Sequence, residues 1–257
     1  MTAHADVLQV KGLEMRFGGL LAVDGVGFEV RRNEVFAIIG PNGAGKTTVF
    51  NCVGGFYRPT SGSVIIDGHQ IAGASSHQIA RKGLVRTFQN IRLFRSMTVV
   101  ENLLVAQHRQ VKSGLLHGLF ATSGYRKAER EALARAAKWL ERMKLLKVAN
   151  RPAGTLSYGL QRRLEIARCM ITNPRLLMLD EPAAGLNPQE KIDLQQLIEQ
   201  LRREFGVSVL LIEHDMSLVM GVSDRILVME QGRPIVTGTP EEVRTDPRVI
   251  RAYLGEE

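Results

Sequence analysis

The sequence contains few cysteines and no long apolar stretch. Its two cysteines, Cys52 and Cys169, lie far apart, and no C-x-x-C pair or His/Cys cluster has metal-ligand spacing. This pattern argues against a disulfide framework or a structural zinc site and favours reduced thiols that pack as small hydrophobic side chains. No apolar run approaches the ~20 residues that a membrane-spanning helix needs, and residues 1–6 do not combine a basic segment with an apolar one. We therefore expect a chain that neither crosses a membrane nor is exported.

The charge is unbalanced toward basic residues. Lysine and arginine number 34 against 26 aspartates and glutamates, a formal net charge of +8, while 44% of the 257 residues are hydrophobic. That hydrophobic content can bury a substantial core and argues against general disorder. The positive charge suggests an acidic partner, and nucleic acid, an anionic membrane face and a nucleotide all fit it.

A glycine-rich segment is the strongest local signal in the chain. The letters GPNGAGKTT at 40–48 match G-x-x-x-x-G-K-[ST], with the apolar run 35–39 before them and a helix-compatible stretch after them. Its glycines let backbone N–H groups turn inward around an anion, and the following helix adds its positive N-terminal end. Lys46 would then contact the β- and γ-phosphates of a nucleoside triphosphate, and the Thr47 hydroxyl would ligate the Mg²⁺ that bridges them. The predicted nucleotide-binding residues of this segment are Asn42, Gly43, Gly45, Lys46, Thr47 and Thr48.

Two adjacent carboxylates follow a second apolar run. Residues 175–182 read RLLMLDEP, which is typical of a strand that is buried on both faces of a parallel sheet and ends in acidic residues. Asp180 would hold Mg²⁺ through water, opposite Thr47, and Glu181 would act as general base toward the attacking water. His214 follows the next buried strand, and because the strand ends of such a sheet converge on the nucleotide, it could reach the γ-phosphate. Glu181 and His214 are therefore predicted to be catalytic.

Strand and helix patterns alternate through most of the chain, which predicts an α/β fold. Residues 7–35 differ, because short strands with turns at Gly18-Gly19 and Asp24-Gly25 indicate an antiparallel arrangement. Residues 84–89 are predicted to form a strand with Gln89 at its exit.

The middle of the chain, residues 90–172, has a helical pattern. It predicts a helix from Val99 to Gln107, a loop or short helix from Ser113 to Gly124, and a long helix from about Tyr125 to Lys147. The long helix has an apolar stripe at three- and four-residue spacing, which consists of Leu133, Ala136, Ala137, Leu140 and Met143.

Residues 156–163 read LSYGLQRR, which is similar to the signature segment of ABC transporter ATPases, and they stand upstream of the D-E-P strand. A phosphate loop alone also fits kinases, GTPases and helicases, whereas the signature does not. Over essentially its whole length the chain therefore resembles an ABC transporter ATP-binding subunit. The resemblance implies one ABC ATPase domain over 6–257. Its P-loop NTPase (RecA-like) core and an antiparallel β subdomain would comprise 6–92 and 173–257, with an inserted helical subdomain at 93–172.

The resemblance also assigns roles to residues that the local patterns leave open. Phe17 is similar to the aromatic residue that stacks on adenine, and Gln89 to the glutamine that senses Mg²⁺ and the transmembrane partner, so that Gln89 joins both the catalytic and the metal group. Ser157 and Gly159 would contact the γ-phosphate of ATP bound to a second ATPase subunit, with two ATP molecules sandwiched head to tail. A signature helix that offers its positive N-terminal end to that phosphate would make closure depend on ATP.

Three positions depart from the common ABC pattern. Tyr158 replaces a glycine, Leu160 stands where glutamine is usual, and Asn187 replaces the aspartate of the loop 184–187 that crosses to the opposite subunit. Because the serine and the second glycine of the signature are kept, the resemblance still implies an active site. The resemblance does not extend to the contacts that the side chains of Leu160 and Asn187 would make.

More narrowly, the chain resembles the first ATPase subunit of bacterial branched-chain amino acid importers. The supporting segments are 15–23, 85–89, 93–99, 163–168, 180–188 and 249–255. Such importers combine this subunit with a second, similar ATPase, two transmembrane permease subunits and a periplasmic substrate-binding protein. The resemblance implies a peripheral place on the cytoplasmic face of the bacterial inner membrane, where ATP hydrolysis drives uptake of leucine, isoleucine and valine or related solutes.

Two other functions compete with import. ATPases of lipid or lipopolysaccharide export are similar around the signature, and only the permease separates them cleanly from importers. A soluble ABC ATPase of translation or DNA repair is favoured by the charge of +8, but such proteins usually carry two phosphate loops and signatures or long coiled-coil inserts. The basic residues around Gln89 lack the aromatic interleaving of a single-strand binder, so we expect no nucleic acid partner. We expect them to face the permease or anionic lipid, and the alternative is that most of them are simply solvated. They are Arg81, Lys82, Arg86, Arg92 and Arg95.

Overall fold

The computed structural model describes residues 6–107 and 123–254, which form two compact units. The first unit holds the described residues up to Gln89 and from Arg175 onward, and the second runs from Asn90 to Pro174. The predicted loop or short helix from Ser113 to Gly124 lies outside the described residues except for its last two positions, which begin a helix.

The first unit contains two sheets. In chain order its strands are β1 (Asp6–Phe17), β2 (Leu20–Arg31), β3 (Val35–Ile39), β4 (Ser61–Ile66), β5 (His69–Gln70), β6 (Leu84–Arg86), β7 (Leu176–Asp180), β8 (Ser208–Ile212), β9 (Arg225–Glu230) and β10 (Arg233–Gly238). The antiparallel sheet has the order β2-β1-β4-β5. The larger sheet has the order β10-β9-β3-β8-β7-β6, and it is parallel except at the β9–β10 pair. The predicted α/β fold with an antiparallel β subdomain is confirmed.

The helices alternate with these strands in the first unit and are the main elements described in the second. They are α1 (Lys46–Val53), α2 (Ser76–Arg81), α3 (Val99–Gln107), α4 (Ser123–Arg142), α5 (Tyr158–Met170), α6 (Pro188–Phe205), α7 (Met216–Val222), α8 (Pro240–Thr245) and α9 (Pro247–Leu254). The second unit is built from α3, α4 and α5 with two short 3₁₀ turns. No helix within 6–107 and 123–254 is long and apolar enough to span a bilayer.

Three strands at the centre of the larger sheet are buried at every position. β3, β7 and β8 read VFAII, LLMLD and SVLLI, so that apolar side chains fill both faces of the sheet. Because parallel strands end at the same edge, Gly40 after β3, Glu181 after β7 and Glu213 after β8 emerge from neighbouring strands side by side. This edge carries the candidate site.

The predicted turn at Asp24-Gly25 is wrong. Both residues lie inside β2, and the register of β2 against β1 shifts around them. Gly25 has a φ of +65°, so the pair forms a β-bulge, in which an extra residue bends the strand without ending it. The predicted turn at Gly18-Gly19 does separate β1 from β2.

In the second unit, α3 has its predicted bounds, whereas α4 ends at Arg142 instead of Lys147. Lys144 has a φ of +58°, a left-handed conformation that is typical of helix ends. The predicted stripe is wrong at Leu133, which is 48% exposed, and at Ala137, which is exposed as well. The buried stripe lies on the helix face that contains the largest apolar side chain, the indole of Trp139. Its members are Ala132, Ala136, Trp139, Leu140 and Met143.

Candidate functional site

The glycine-rich loop follows β3 and leads directly into α1. All three of its glycines have positive φ angles that other residues rarely adopt, +146° at Gly40, +82° at Gly43 and +91° at Gly45. A Cβ atom at position 45 would also lie 2.6 Å from the carbonyl oxygen of Ala22, which excludes a larger residue there. Gly45 is the N-cap of α1, so the N–H groups of the first helical turn face the loop. A helix N-terminus and a glycine loop in this arrangement suit the binding of an anion.

The ammonium group of Lys46 is held by the loop itself. Its Nζ donates hydrogen bonds to the carbonyl oxygens of Gly40 at 2.7 Å and Pro41 at 2.8 Å. Burial lowers the pKa of Lys46, and the negative charge of Glu181 opposes that shift. The loop therefore keeps a buried positive charge in a fixed position beside a carboxylate.

The loop forms one wall of a cavity of about 420 Å³. The other walls come from the start of β2, from the segments after β7 and β8, and from the turn between β9 and β10. The lining residues are Leu20, Leu21, Ala22, the segment 42–48, Glu181, His214, Gln231 and Gly232. The structure thus brings all six nucleotide-binding residues predicted in the loop together with two predicted catalytic residues.

Glu181 lies between the side chains of Gln89 and His214. Its Oε2 accepts a 2.8 Å hydrogen bond from Gln89 Nε2, and its Oε1 lies 3.1 Å from His214 Nε2. Glu181 has a φ of +45°, an uncommon conformation for a residue with a side chain, and its N–H donates to the carbonyl oxygen of Ile212 at 2.9 Å. Such conformations are concentrated at functional sites, where the surroundings enforce them. Gln89 reaches this carboxylate from a segment beyond β6, because the strand ends at Arg86 and not at Gln89 as predicted.

A buried carboxylate that the sequence analysis did not single out fixes the segments around these residues. Glu213 is 3% exposed, and its Oε1 accepts a 2.6 Å hydrogen bond from the backbone N–H of Ala183. Its Oε2 accepts from the backbone N–H groups of His214 at 2.9 Å and Asp215 at 3.2 Å. One side chain therefore ties the segment after Glu181 to the segment that carries His214. The signal that could have revealed it is an acidic residue between a buried strand and a candidate catalytic histidine.

Asp180 is paired with an arginine at the end of β7. Its Oδ2 accepts a 2.5 Å hydrogen bond from Arg86 Nη2, and both side chains are 7% exposed. The prediction that Arg86 faces a permease or anionic lipid is therefore wrong, since its guanidinium is buried against a carboxylate. An arginine next to exposed basic residues in the sequence gives no sign of this, because the burial arises from β6 lying beside β7.

The oxygen atoms at this edge suit Mg²⁺. Thr47 offers a hydroxyl, Asp180 a carboxylate and Gln89 an amide oxygen, which are the hard ligands that this ion prefers. No group of three or more His, Cys, Asp or Glu side chains in the described part of the chain could hold a metal ion. A Mg²⁺ ion here would therefore share these few groups with phosphate oxygens and water, which is its usual mode of binding in proteins.

Five predicted site residues are not part of the cavity lining, namely Phe17, Gln89, Ser157, Gly159 and Asp180. Phe17, at the end of β1, is 42% exposed and packs edge-on against Tyr57, with ring centroids 5.3 Å apart. Ser157 and Gly159 belong to the second unit, at the start of α5. Ser157 is the exposed N-cap of α5, and its side chain makes no capping hydrogen bond to that helix. Its hydroxyl and the helix N-terminus therefore form a polar group of donors on the surface of the second unit.

One departure from the ABC pattern, at Asn187, has a local structural role. The side chain of Asn187 caps α6, accepting a 2.9 Å hydrogen bond from the N–H of Glu190, whose carboxylate accepts from the N–H of Asn187 at 3.0 Å. Gln161, which follows Leu160, is buried and donates to the carbonyl oxygen of Leu156 at 2.8 Å. Gln161 therefore does not replace the missing glutamine as an outward-facing donor.

Comparison with known protein families gives two matches. The ABC transporter family matches residues 23–184, and a family described as branched-chain amino acid ATP-binding cassette transporter matches residues 233–257. The first match covers more than half of the chain and includes the glycine-rich loop, the signature segment and Glu181.

Individual proteins are similar over almost the whole length. The chain is 63% identical to the high-affinity branched-chain amino acid transport ATP-binding protein BraF of Pseudomonas aeruginosa, over 97% of this chain and 98% of that protein. It is 61% identical to LivG of Escherichia coli K12, which has the same description, with the same coverage. Among solved structures, the ADP conformation of MJ1267, an ATP-binding cassette of an ABC transporter, is 34% identical, with a TM-score of 0.85, and the match covers 98% of this chain and 100% of that one.

Proposed function

This chain belongs to the ABC transporter family of ATP-binding cassettes, and from that premise we propose that it hydrolyses ATP to energise an importer of branched-chain amino acids. The transported solute is inferred from the two relatives above and from the C-terminal match at 233–257. The observation that supports hydrolysis is the position of Glu181, held between Gln89 and His214 at a cavity lined by the glycine-rich loop.

The chemistry follows from the side chains of this chain. The loop N–H groups and Lys46 bind the β- and γ-phosphates of ATP and fix them beside Glu181. The Glu181 carboxylate accepts a proton from the attacking water, while Gln89 and His214 hold that carboxylate from both sides and orient it. Thr47 and Asp180 would hold Mg²⁺, which neutralises charge that develops on the phosphate oxygens. Phe17 is proposed to contact the adenine.

The second unit is proposed to act on the ATP of a partner. The uncapped N-terminus of α5 with the Ser157 hydroxyl, and Gly159 beside it, would bind the γ-phosphate held by a second ABC ATPase subunit. A head-to-tail dimer with two shared sites follows, as a heterodimer or a homodimer. We propose that this dimer works with two transmembrane permeases and a periplasmic substrate-binding protein, on the cytoplasmic face of the bacterial inner membrane.

A pull-down of the tagged protein from gently solubilised membranes of its own organism tests the assembly. Mass spectrometry is expected to identify two permeases and a second ABC ATPase. Recovery of lipid-export membrane proteins would contradict the amino acid importer. Recovery of ribosomes or DNA without permeases would contradict transport altogether.

Uptake of radiolabelled leucine by cells that lack this gene tests the reaction. The wild-type gene is expected to restore uptake, and Glu181→Gln is expected to bind ATP but neither hydrolyse it at a normal rate nor restore uptake, because an amide cannot accept the proton. Glu204→Gln, a substitution of an exposed carboxylate on α6, is the matched control and is expected to behave as wild type. A normal rate of ATP hydrolysis by Glu181→Gln would refute the assignment of the general base.

A further inference from the structure

A buried arginine connects the two elements that carry the proposed metal ligands. Arg86 Nη2 donates to Asp180 Oδ2 at the end of β7, and its Nη1 donates to Asn51 Oδ1 on α1 at 2.7 Å. Three aromatic rings surround the guanidinium, with centroids 5.3 to 5.6 Å from its central carbon, and they belong to Phe50, Phe56 and Phe88. The guanidinium is thus fixed by two hydrogen bonds and by stacking contacts.

Asn51 connects Arg86 to the helix that carries Thr47. Asn51 lies four residues after Thr47 on α1, so the two side chains are on the same face of the helix, one turn apart. Arg86 therefore joins the helix that carries Thr47 to the strand end that carries Asp180. Arg86, Asn51 and Asp180 are all absent from the cavity lining, so the bridge lies next to the cavity and not in it.

We propose that Arg86 is a positioning residue of the Mg²⁺ site, which holds the Asp180 carboxylate in register with Thr47 without contacting the nucleotide. Asp180 has two oxygens, and Arg86 engages Oδ2, so Oδ1 is the atom that we assign to the metal-bound water. This inference rests on the proposed function, because it concerns the same metal site.

Two physical effects of the arginine oppose each other. Its positive charge repels a nearby cation, whereas its hydrogen bond keeps the Asp180 carboxylate oriented. The second effect is expected to dominate, because a buried carboxylate that loses its ion-pair partner no longer has a fixed orientation and turns toward other donors or water. Loss of a group that orients a metal ligand typically weakens metal binding about 10- to 100-fold.

The experiment measures Mn²⁺, a spectroscopic substitute for Mg²⁺, in the full chain saturated with ADP. Free Mn²⁺ gives a sharp electron paramagnetic resonance signal that broadens on binding, so a titration yields the affinity without any turnover. ADP binding is measured separately in EDTA. The variants are Arg86→Met, Arg86→Lys and, as matched control, Arg81→Met, which removes an exposed arginine of α2.

Arg86→Met is expected to bind ADP in EDTA within about twofold of wild type, but to need about tenfold more Mn²⁺ for half-saturation. Arg86→Lys keeps a cation near Asp180 but cannot bridge to Asn51 through a second nitrogen, so an intermediate loss is expected. Arg86→Lys also serves as the test variant if Arg86→Met does not fold. Cooperative thermal unfolding shows whether each variant is folded. Arg81→Met is expected to match wild type.

A double variant decides whether Arg86 acts through Asp180. In the Asp180→Asn background, Arg86→Met is expected to cause no further loss of Mn²⁺ affinity beyond about twofold, because the carboxylate that it positions is gone. A full additional loss in that background, an unchanged Mn²⁺ affinity in folded Arg86→Met, or a tighter one, would overturn the proposal. If the wild-type protein with ADP bound Mn²⁺ no better than free ADP does, the proposed metal site itself would be refuted, which is a different result from failure of the Arg86 variants alone.

Discussion

Replacing Glu213 by glutamine should loosen the segments that carry Glu181 and His214. Glu213→Gln keeps the size and shape of a side chain that is 3% exposed, so it creates no cavity. What changes is the number of acceptors. The carboxylate accepts from Ala183 through one oxygen and from His214 and Asp215 through the other, whereas glutamine has only one oxygen.

The magnitude follows from the hydrogen bonds that are lost. If the amide oxygen keeps the two N–H groups of His214 and Asp215, the amide nitrogen faces the N–H of Ala183, and a 2.6 Å bond becomes a contact between two donors. A hydrogen bond to a charged group contributes about 1.5–3 kcal/mol, and a buried N–H without an acceptor costs about 1–3 kcal/mol. Burying a neutral amide costs less than burying a carboxylate, which offsets part of this loss. The expected net loss of stability is about 2 kcal/mol, which for a protein of this size lowers Tm by about 4–8 °C.

The assay must report on the first unit. The single tryptophan, Trp139, lies in the second unit, so its fluorescence is unsuitable, and thermal unfolding is followed by far-UV circular dichroism. Glu204→Gln, on the exposed face of α6, is the matched control and is expected to change stability by less than about 0.5 kcal/mol. Turnover of ATP is expected to fall about tenfold in Glu213→Gln, while the affinity for ATP stays nearly constant, because the proposed catalytic side chains are misplaced and the glycine-rich loop is not. A Glu213→Gln protein as stable and as active as wild type would refute this reasoning.

Three further predictions use the same structure. Lys46→Ala should bind a fluorescent ATP analogue about 10- to 100-fold more weakly, because a charge-assisted contact to phosphate is lost, and tight binding by this variant would contradict the role of the lysine. Asn187→Ala should lose about 1 kcal/mol in thermal unfolding, because it removes the cap of α6, whereas Asn187→Asp should retain it. Burial raises the pKa of the Cys52 thiol to about 11 and that of Cys169 to about 12, so at pH 8 about one molecule in a thousand or fewer carries a thiolate at either position. Both thiols should therefore react slowly with Ellman's reagent in the native protein and rapidly in urea, and fast native labelling would show that the packing around them is loose.

The sequence was sufficient to predict an element of the fold wherever a local pattern is typical of one structure. The apolar runs that became β3, β7 and β8 are continuous and short, as is typical of strands buried on both faces of a parallel sheet. The glycine-rich loop was equally clear, since its positive φ angles and close approach to Ala22 require glycine. Prediction from local sequence patterns was less reliable where the same pattern fits two structures. Asp24-Gly25 suits a turn and a β-bulge equally well, and only the pairing of β2 with β1 selects the bulge.

The candidate site was predictable as a set of strand ends but not as a network. Glu181 and His214 could be placed at one edge of the larger sheet because parallel strands end together. The distance of 3.1 Å between Glu181 Oε1 and His214 Nε2, however, depends on how the segments after β7 and β8 are joined. Glu213 makes that joint through backbone N–H groups, and no sequence pattern records which N–H a carboxylate accepts.

Arg86 shows why burial of a charged residue is the hardest of these features to predict. In the sequence it stands among basic residues that suggest an exposed patch, and a lone arginine is usually exposed. It becomes buried because the parallel pairing of β6 with β7 places it beside Asp180, a residue 94 positions away in the chain. The partner exists only once the sheet has formed, so the energetic reason for the burial is absent from any local window of sequence. Because the pleat alternates the directions of neighbouring side chains, one arginine of a basic cluster can be buried in a parallel sheet while the next basic residue is exposed.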